Sequence, residues 1–242
     1  MTVRTGDRVL LDGEERQYFV RAGEGTFSTD HGIIDLSGLV GLEPGAVIRT
    51  HLDREYRVRI PRAPDFFSRA RRTGAPMLPK DIGMVIAATG MMRDDVVVDA
   101  GTGSGIAAIY FGGIAGEVRT YESRPEFARI AEATIRDARL ENVTVTAADV
   151  LTATGPCDIV HLDLEVTPAH LRHAHEILVT GGYLACYSPF LEQMFSVLDT
   201  GEELFSDLEV HECLERVLVR SRRGTRPSTR VCHTGYIAVG RK

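Results

Sequence analysis

Val96, Val97 and Val98 form a run of β-branched residues that closes on Asp99 and breaks at once into Ala100, Gly101, Thr102, Gly103, Ser104 and Gly105. A uniformly apolar, β-branched run suits a parallel strand covered on both faces, and such a strand needs helices on either side of its sheet. Glycine at alternate positions removes Cβ atoms where the chain turns sharply and lets a ligand approach the backbone. Residues 106–111 read as the next helix, with N-terminal amides aimed back toward that ligand. The segment therefore predicts a strand, a nucleotide-type cradle and a helix. Its glycines alternate, whereas in the dinucleotide fingerprint the third is displaced by two residues, which argues against NAD or FAD.

Two later strand-like runs also end in acids. Glu122 closes 118–122, about where a ribose-binding carboxylate belongs after a glycine-rich loop, and it can accept hydrogen bonds from both ribose hydroxyls. Asp149 closes 143–149 and can accept from an adenine amino group. Strand-end acids after three consecutive strands resemble the S-adenosylmethionine (SAM) pocket of class I methyltransferases. The resemblance implies a SAM site made by Gly101, Thr102, Gly103, Ser104, Gly105, Glu122, Asp149, Val150 and Asp163. The competing reading is that the glycines only turn the chain and the acids only cap helices.

The rest of the chain divides by cadence. Residues 1–64 hold short alternating segments at 8–11, 17–21, 25–27, 47–50 and 56–60, separated by turn signals at 12–13, 30–32 and 43–45. That is the rhythm of a small all-β domain, read as a compact barrel. Pro61 and Pro64 punctuate the chain ahead of a linker, 65–79, that opens with a short helix at 65–72. From residue 80 to 242 helix and strand alternate: helix 80–89, strand 96–99, helix 124–139, strand 157–163, helix 168–178, strand 182–187 and helix 190–200. A strand pair at 208–219 and 231–239 closes the series. Helix 124–139 has an apolar face of Ala128, Ile130, Ala131, Ile135 and Ala138. Repeated βα units predict an α/β, doubly wound Rossmann-like sheet with its ligand at the C-terminal edge of the strands.

Composition removes several classes. No apolar run reaches the roughly 20 residues that cross a bilayer, and the N-terminus lacks a signal-peptide apolar region, so a soluble, cytoplasmic protein is expected. Cys157, Cys186, Cys213 and Cys232 are widely spaced, which suggests neither a zinc site nor a disulfide framework. His170, His173 and His175 fit a solvated helix face better than a metal site. The net charge of −6 argues against a uniformly basic surface. Arg216, Arg220, Arg222, Arg223, Arg226 and Arg230 nevertheless fall in a stretch without an acid, and Arg69, Arg71 and Arg72 form a second cluster. A solvated loop and a phosphate-binding patch both suit such a stretch.

Further segments resemble one family, the archaeal and bacterial tRNA (adenine-N1)-methyltransferases of the TrmI type. Arg71-Arg72-Thr73 with Leu78-Pro79-Lys80-Asp81 resembles its linker motif. The stretch 187–193 resembles its segment after the fifth strand, and Arg226-Pro227 with His233-Thr234-Gly235-Tyr236 its C-terminal hairpin. His31-Gly32-Ile33 and Leu42-Glu43-Pro44-Gly45 fit its β-domain. The resemblance implies a homotetramer, SAM as methyl donor, and N1 of a tRNA T-loop adenine as acceptor, usually position 58, with the neighbouring 57 left open as a second target. Asp163 is read as the catalytic residue on the acceptor side, accepting a hydrogen bond from the adenine amine. The chain departs from the pattern beside it. Asp163-Leu164 runs into Glu165-Val166-Thr167-Pro168 where the family has Pro-Trp, the chain has no tryptophan, and Leu78 stands where relatives have an aromatic residue. Two alternatives stay open: a non-catalytic RNA-binding partner subunit of the same fold, and a SAM methyltransferase with another acceptor.

Overall fold

A computed structural model describes residues 2–229 and 232–242. The chain divides into two compact units, Met1–Ala70 with Asp137–Arg139, and Arg71–Arg136 with Leu140–Lys242.

The first unit contains β1 (Arg8–Asp12), β2 (Gln17–Arg21), β3 (Thr26–Thr29), β4 (Gly32–Asp35), β5 (Val47–Arg49), β6 (Glu55–Arg59) and helix α1 (Ala63–Arg69). Four strands form an antiparallel sheet in the order β2-β1-β6-β5, and β3 and β4 form a separate ribbon. Strand β6 shows why they assemble: Tyr56 and Val58 point into the core while Glu55, Arg57 and Arg59 face solvent, the period of two expected of a half-buried strand. Val9, Leu11, Val20, Ile34 and Leu39 complete that core. Strand β4 escaped the sequence reading because Ile33 and Ile34 are flanked by turn residues and only four residues pair.

The second unit runs α2 (Pro79–Thr89), β7 (Val96–Ala100), α3 (Ile106–Gly112), β8 (Glu117–Tyr121), α4 (Pro125–Asp137), β9 (Val143–Thr146), β10 (Cys157–Leu162), α5 (Pro168–Ile177), β11 (Leu178–Ser188), α6 (Leu191–Gly201), β12 (Ser206–Glu212), β13 (Leu218–Ser221), β14 (Gly224–Pro227) and β15 (Tyr236–Arg241). Seven of its strands form one sheet in the order β12-β15-β11-β10-β7-β8-β9. The run from β11 to β9 is parallel, and β15 is antiparallel to both its neighbours. Val97, Val98, Ile159, Val160, Leu162 and Leu184 are buried as a two-sided parallel sheet requires. Helix α4 packs through Ala128, Ala131, Thr134 and Ile135, with Phe127 and Ile130 half-buried beside this stripe. The strand order reverses between β7 and β10, which makes their C-terminal ends the switch point where open α/β sheets bind ligands.

The closing strand pair differs from expectation. Strand β12 ends at Glu212, opposite Tyr236 where β15 begins, because an edge strand has nothing to pair with beyond its partner. Residues 218–227 instead fold back as a two-stranded hairpin, β13 with β14, exposed along its whole length. Arg220, Arg222, Arg223 and Arg226 sit on it; Arg230, and Val231 at the start of the expected last strand, lie outside the described residues. Strand β11 is longer than expected, because Gly181 and Gly182, which look like a turn, are carried through a register shift against β10.

Candidate active site

The site is built where β7 and β10 end. Asp163 is the first residue after β10, and its N–H donates to Ala100 O at 2.9 Å, so the two chains stay paired one residue beyond the strand. Gly101 makes that possible. Its φ is +82°, and a Cβ there would lie 1.9 Å from the Asp163 carbonyl oxygen. At Gly105, which precedes α3, a Cβ would press on Ala131 and Ile135 of α4 at 3.3–3.4 Å. These two glycines relieve contacts inside the protein. Gly103 is different: a Cβ there would meet only Thr73 Oγ1 within 3.4 Å, and its N–H donates to Glu122 Oε2 at 2.9 Å.

Two hollows share this rim. One, of about 230 Å³, is bounded by Thr73 and Met77 on one side, Gly103 and Ser104 on another, and Arg124 and Phe127. The other, of about 470 Å³, is bounded by Tyr121, Glu122, Asp149, Val150 and Leu164. Asp163 and Gly101 border both. A third hollow, about 440 Å³, lies within the N-terminal unit, where Asp12, Arg16, Asp53 and Glu55 are engaged in ion pairs.

Gly101, Thr102, Gly103, Ser104, Glu122, Asp149, Val150 and Asp163 border these two hollows, each in its own setting, whereas Gly105 borders neither. Glu122 is 2% exposed. Burial pushes its pKa up, but donors from Arg124 and Gly103 outweigh burial and hold the carboxyl below its ordinary value. Asp149 is more open; its Oδ1 accepts from Leu151 N at 2.8 Å and caps the short 3₁₀ turn Val150–Thr152, so the capping role weighed from sequence is present. Val150 is buried beside it. Asp163 is pushed up to about 6, chiefly by burial; the nearby His161 pulls it down and the Asp99 charge adds to the rise.

Beneath this edge lies a polar ladder that sequence reasoning missed. His161, Asp99 and Thr120 are register partners across β10, β7 and β8. His161 Nδ1 and Asp99 Oδ1 are 2.7 Å apart, Thr120 Oγ1 donates to Asp99 Oδ2, and Thr102 Oγ1 shares a hydrogen bond with Thr120. All four residues are buried, so the ladder ties the glycine loop to the strand that leads into Asp163. The signal in the sequence is a spacing: Asp99, Thr120 and His161 stand two positions before Gly101, Glu122 and Asp163.

The two motifs that narrowed the family also meet. Lys80 Nζ donates to Asp81 Oδ1 at 2.5 Å, Cys213 O at 2.6 Å and Thr234 Oγ1 at 2.6 Å, which uses all three ammonium hydrogens. Thr234 Oγ1 donates to Asp81 Oδ2, and Tyr187 OH donates to Thr234 O at 2.7 Å. Burial and the charges of Asp81 and Asp163 push the Tyr187 phenol up to about 12. Tyr187 is thus held in place, whereas Tyr121 borders the larger hollow. His233 bonds Glu212 Oε1 through Nδ1 and Pro189 O through Nε2, and the Glu212 contact raises its pKa, so it orients the last strand. His170 reaches back to Thr167 in a helix cap. No cluster of metal-ligating side chains occurs among the described residues.

Residues 69–229 match the family model described as the tRNA methyltransferase complex GCD14 subunit. The chain belongs to this family. Within and around it, the chain is 32% identical over 269 residues to the tRNA (adenine(57)-N(1)/adenine(58)-N(1))-methyltransferase TrmI of Methanocaldococcus jannaschii, covering 97% of this chain and 94% of that one. It is 30% identical to the tRNA (adenine(58)-N(1))-methyltransferase TrmI of Thermus thermophilus, over 97% and 93% of the two chains. A crystal structure from Thermotoga maritima, described as a SAM-dependent O-methyltransferase, matches with a TM-score of 0.85 at 30% identity, over 100% of this chain and 94% of that one. The tRNA (m1A58) methyltransferase TrmI of Aquifex aeolicus shares the fold with a TM-score of 0.79 at 24% identity, over 100% and 99%. The fold is therefore that of the methyltransferases, and the resemblance read from Pro79-Lys80-Asp81 and His233-Thr234-Gly235 stands. Among the described residues no helix is long and apolar enough to cross a membrane.

Proposed function

We propose that this protein is a SAM-dependent tRNA methyltransferase that acts in the cytoplasm on N1 of a T-loop adenine, at position 58 and also at 57. The observation that carries the reading is the Asp163 carboxylate on the rim common to two hollows, backed by the glycine loop and flanked by Glu122 and Asp149. The larger hollow suits SAM: Glu122 offers a buried carboxylate for ribose hydroxyls, Asp149 keeps Oδ2 for an amino group, and Val150 and Leu164 supply apolar walls. Gly103 and Ser104, in the loop just before α3, border the smaller hollow, which suits the rest of the ligand.

SAM supplies a methyl group already activated on a sulfonium, so the protein's task is alignment and exclusion of water. Asp163, as a carboxylate, accepts a hydrogen bond from the adenine exocyclic amine. That bond orients N1 and stabilises the positive charge that grows on the ring as N1 is methylated. The base has to leave its stack to reach this position, and tRNA binding offsets that cost of roughly a few kcal/mol. The exposed arginines of the β13–β14 hairpin suit the phosphate contacts this demands. Leu214, Val217 and Leu218 are about 60% exposed beside them, an apolar patch that favours the homotetramer implied by the resemblance.

Incubation with labelled SAM and unmodified tRNA, followed by nucleoside mass spectrometry, tests the reading. Label in 1-methyladenosine is expected. Label confined to an oxygen acceptor would move the assignment toward the chemistry named for the Thermotoga relative, and tRNA binding without label would support the silent partner subunit.

A further inference from the structure

Glu122 has four acceptor positions, two on each carboxylate oxygen, and every one is taken. Oε1 accepts from Arg124 N at 3.1 Å and Arg124 Nε at 2.8 Å. Oε2 accepts from Gly103 N at 2.9 Å and Arg124 Nη2 at 3.2 Å. The two backbone donors are fixed by the loop and the start of α4. The two guanidinium donors are the movable pair, and they occupy one position on each oxygen. A cis-diol presents two hydroxyls to a carboxylate in the same forked way. Release of the guanidinium would free the same two positions that the two hydroxyls require.

Arg124 is built to be released. Its side chain is 54% exposed, in contrast to the 2% of its partner. Its Cζ lies 4.0 Å from the centre of the Phe127 ring, a contact that can persist when the carboxylate bonds are given up. The charge of Glu126 also favours its cationic form, so the freed group has a second acid to turn toward. Both Arg124 and Phe127 border the smaller hollow, next to Gly103.

We propose that Arg124 is a resident competitor for the ribose position on Glu122, a positioning residue that holds the carboxylate oriented and sets how tightly a cis-diol is bound there. The proposal rests on the assignment of Glu122 to the cofactor's ribose. It predicts an unusual salt dependence. A neutral nucleoside gains nothing directly from screening, but salt weakens the internal ion pair it must displace, so its affinity rises with ionic strength.

The test is calorimetric titration with 5′-methylthioadenosine, a neutral nucleoside thioether, and with its 2′-deoxy analogue, at low and high salt. Arg124→Gln is expected to bind the ribo ligand roughly three- to tenfold tighter than the natural protein, since a half-exposed ion pair is displaced at modest cost. The 2′-deoxy analogue should gain much less, and the salt dependence seen in the natural protein should vanish in the variant. Equal or weaker binding by a variant with an unchanged melting temperature overturns the proposal. So does salt-independent binding by the natural protein, an arm that needs no variant. If the natural protein does not distinguish the ribo from the deoxy ligand, the ribose assignment fails and the competitor fails with it. If it does distinguish them and Arg124→Gln changes nothing, the competitor alone fails.

Discussion

Replacing Gly101 by alanine isolates the contact on which the site's geometry depends. The new Cβ would lie 1.9 Å from the Asp163 carbonyl oxygen, against an ordinary carbon–oxygen separation of about 3.3 Å, so the two loops must part by roughly 1.4 Å. Three costs add. Holding a non-glycine residue at φ +82° costs about 1–2 kcal/mol. Forced displacement in a packed region costs about 1–3 kcal/mol. The 2.9 Å bond from Asp163 N to Ala100 O is strained or lost, at about 1 kcal/mol. The expected loss is about 3–6 kcal/mol, a fall in melting temperature on the order of 10 °C for a chain of this size. A shift of about 1 Å in Asp163 should also slow methyl transfer by about a hundredfold. Gly103→Ala is the matched control, in the same loop and also at positive φ, but meeting only Thr73 Oγ1 at 3.4 Å. It should cost about 1–2 kcal/mol and act mainly by weakening SAM binding. Calorimetric melting, SAM titration and turnover on both variants decide the matter. If Gly101→Ala is no less stable than Gly103→Ala and turns over normally, Gly101 does not seat Asp163.

Asp163, held at about 6, should give methylation an acid limb, with turnover falling as pH drops below that value because a protonated carboxyl no longer accepts from the adenine amine. The sign for stability is opposite. The fold prefers the protonated form, so its contribution is full below the ordinary value of 3.8 and is lost as pH rises through about 6. Asp163→Asn should therefore melt higher than the natural protein at mildly alkaline pH, converge with it in acid, and turn over slowly at every pH; equal melting temperatures throughout would refute the burial argument. Replacing Arg220, Arg222, Arg223 and Arg226 with glutamine should weaken tRNA binding and flatten its salt dependence by about one unit of slope per phosphate contact removed. An unchanged slope, measured by filter binding over a salt series, would leave the hairpin without a role in RNA contact.

The local chemistry of the parallel strands could be read in advance because it is periodic. The valines before Asp99 match β7 within one residue at its end, and the stretches around Glu122 and Asp149 fall at the ends of β8 and after β9, since apolar runs closed by glycine and acid announce themselves within a few residues. Elements whose limits depend on a neighbour were less legible. Strand β12 ends where β15 ceases to face it, and β13 with β14 becomes a free hairpin, although Leu218 and Val219 look as strand-like as anything in β12. At the site, residue types were visible and their uses were not. Gly101 and Gly105 resemble Gly103 in the sequence, yet the first makes room for the Asp163 carbonyl and the second for helix α4.

By itself, then, the sequence determined the class of sheet, the order of its βα units and the acids that end its strands, because those follow from spacing along the chain. Tertiary structure decided what each acid is engaged with. Asp163 meets Gly101, separated from it by 62 positions, only because β10 lies beside β7. His161 becomes the partner of Asp99 for the same reason, and Lys80 joins Thr234 across most of the unit's length. Burial, register and lone-pair occupancy are properties of neighbours in space, and a chain acquires them only when it folds.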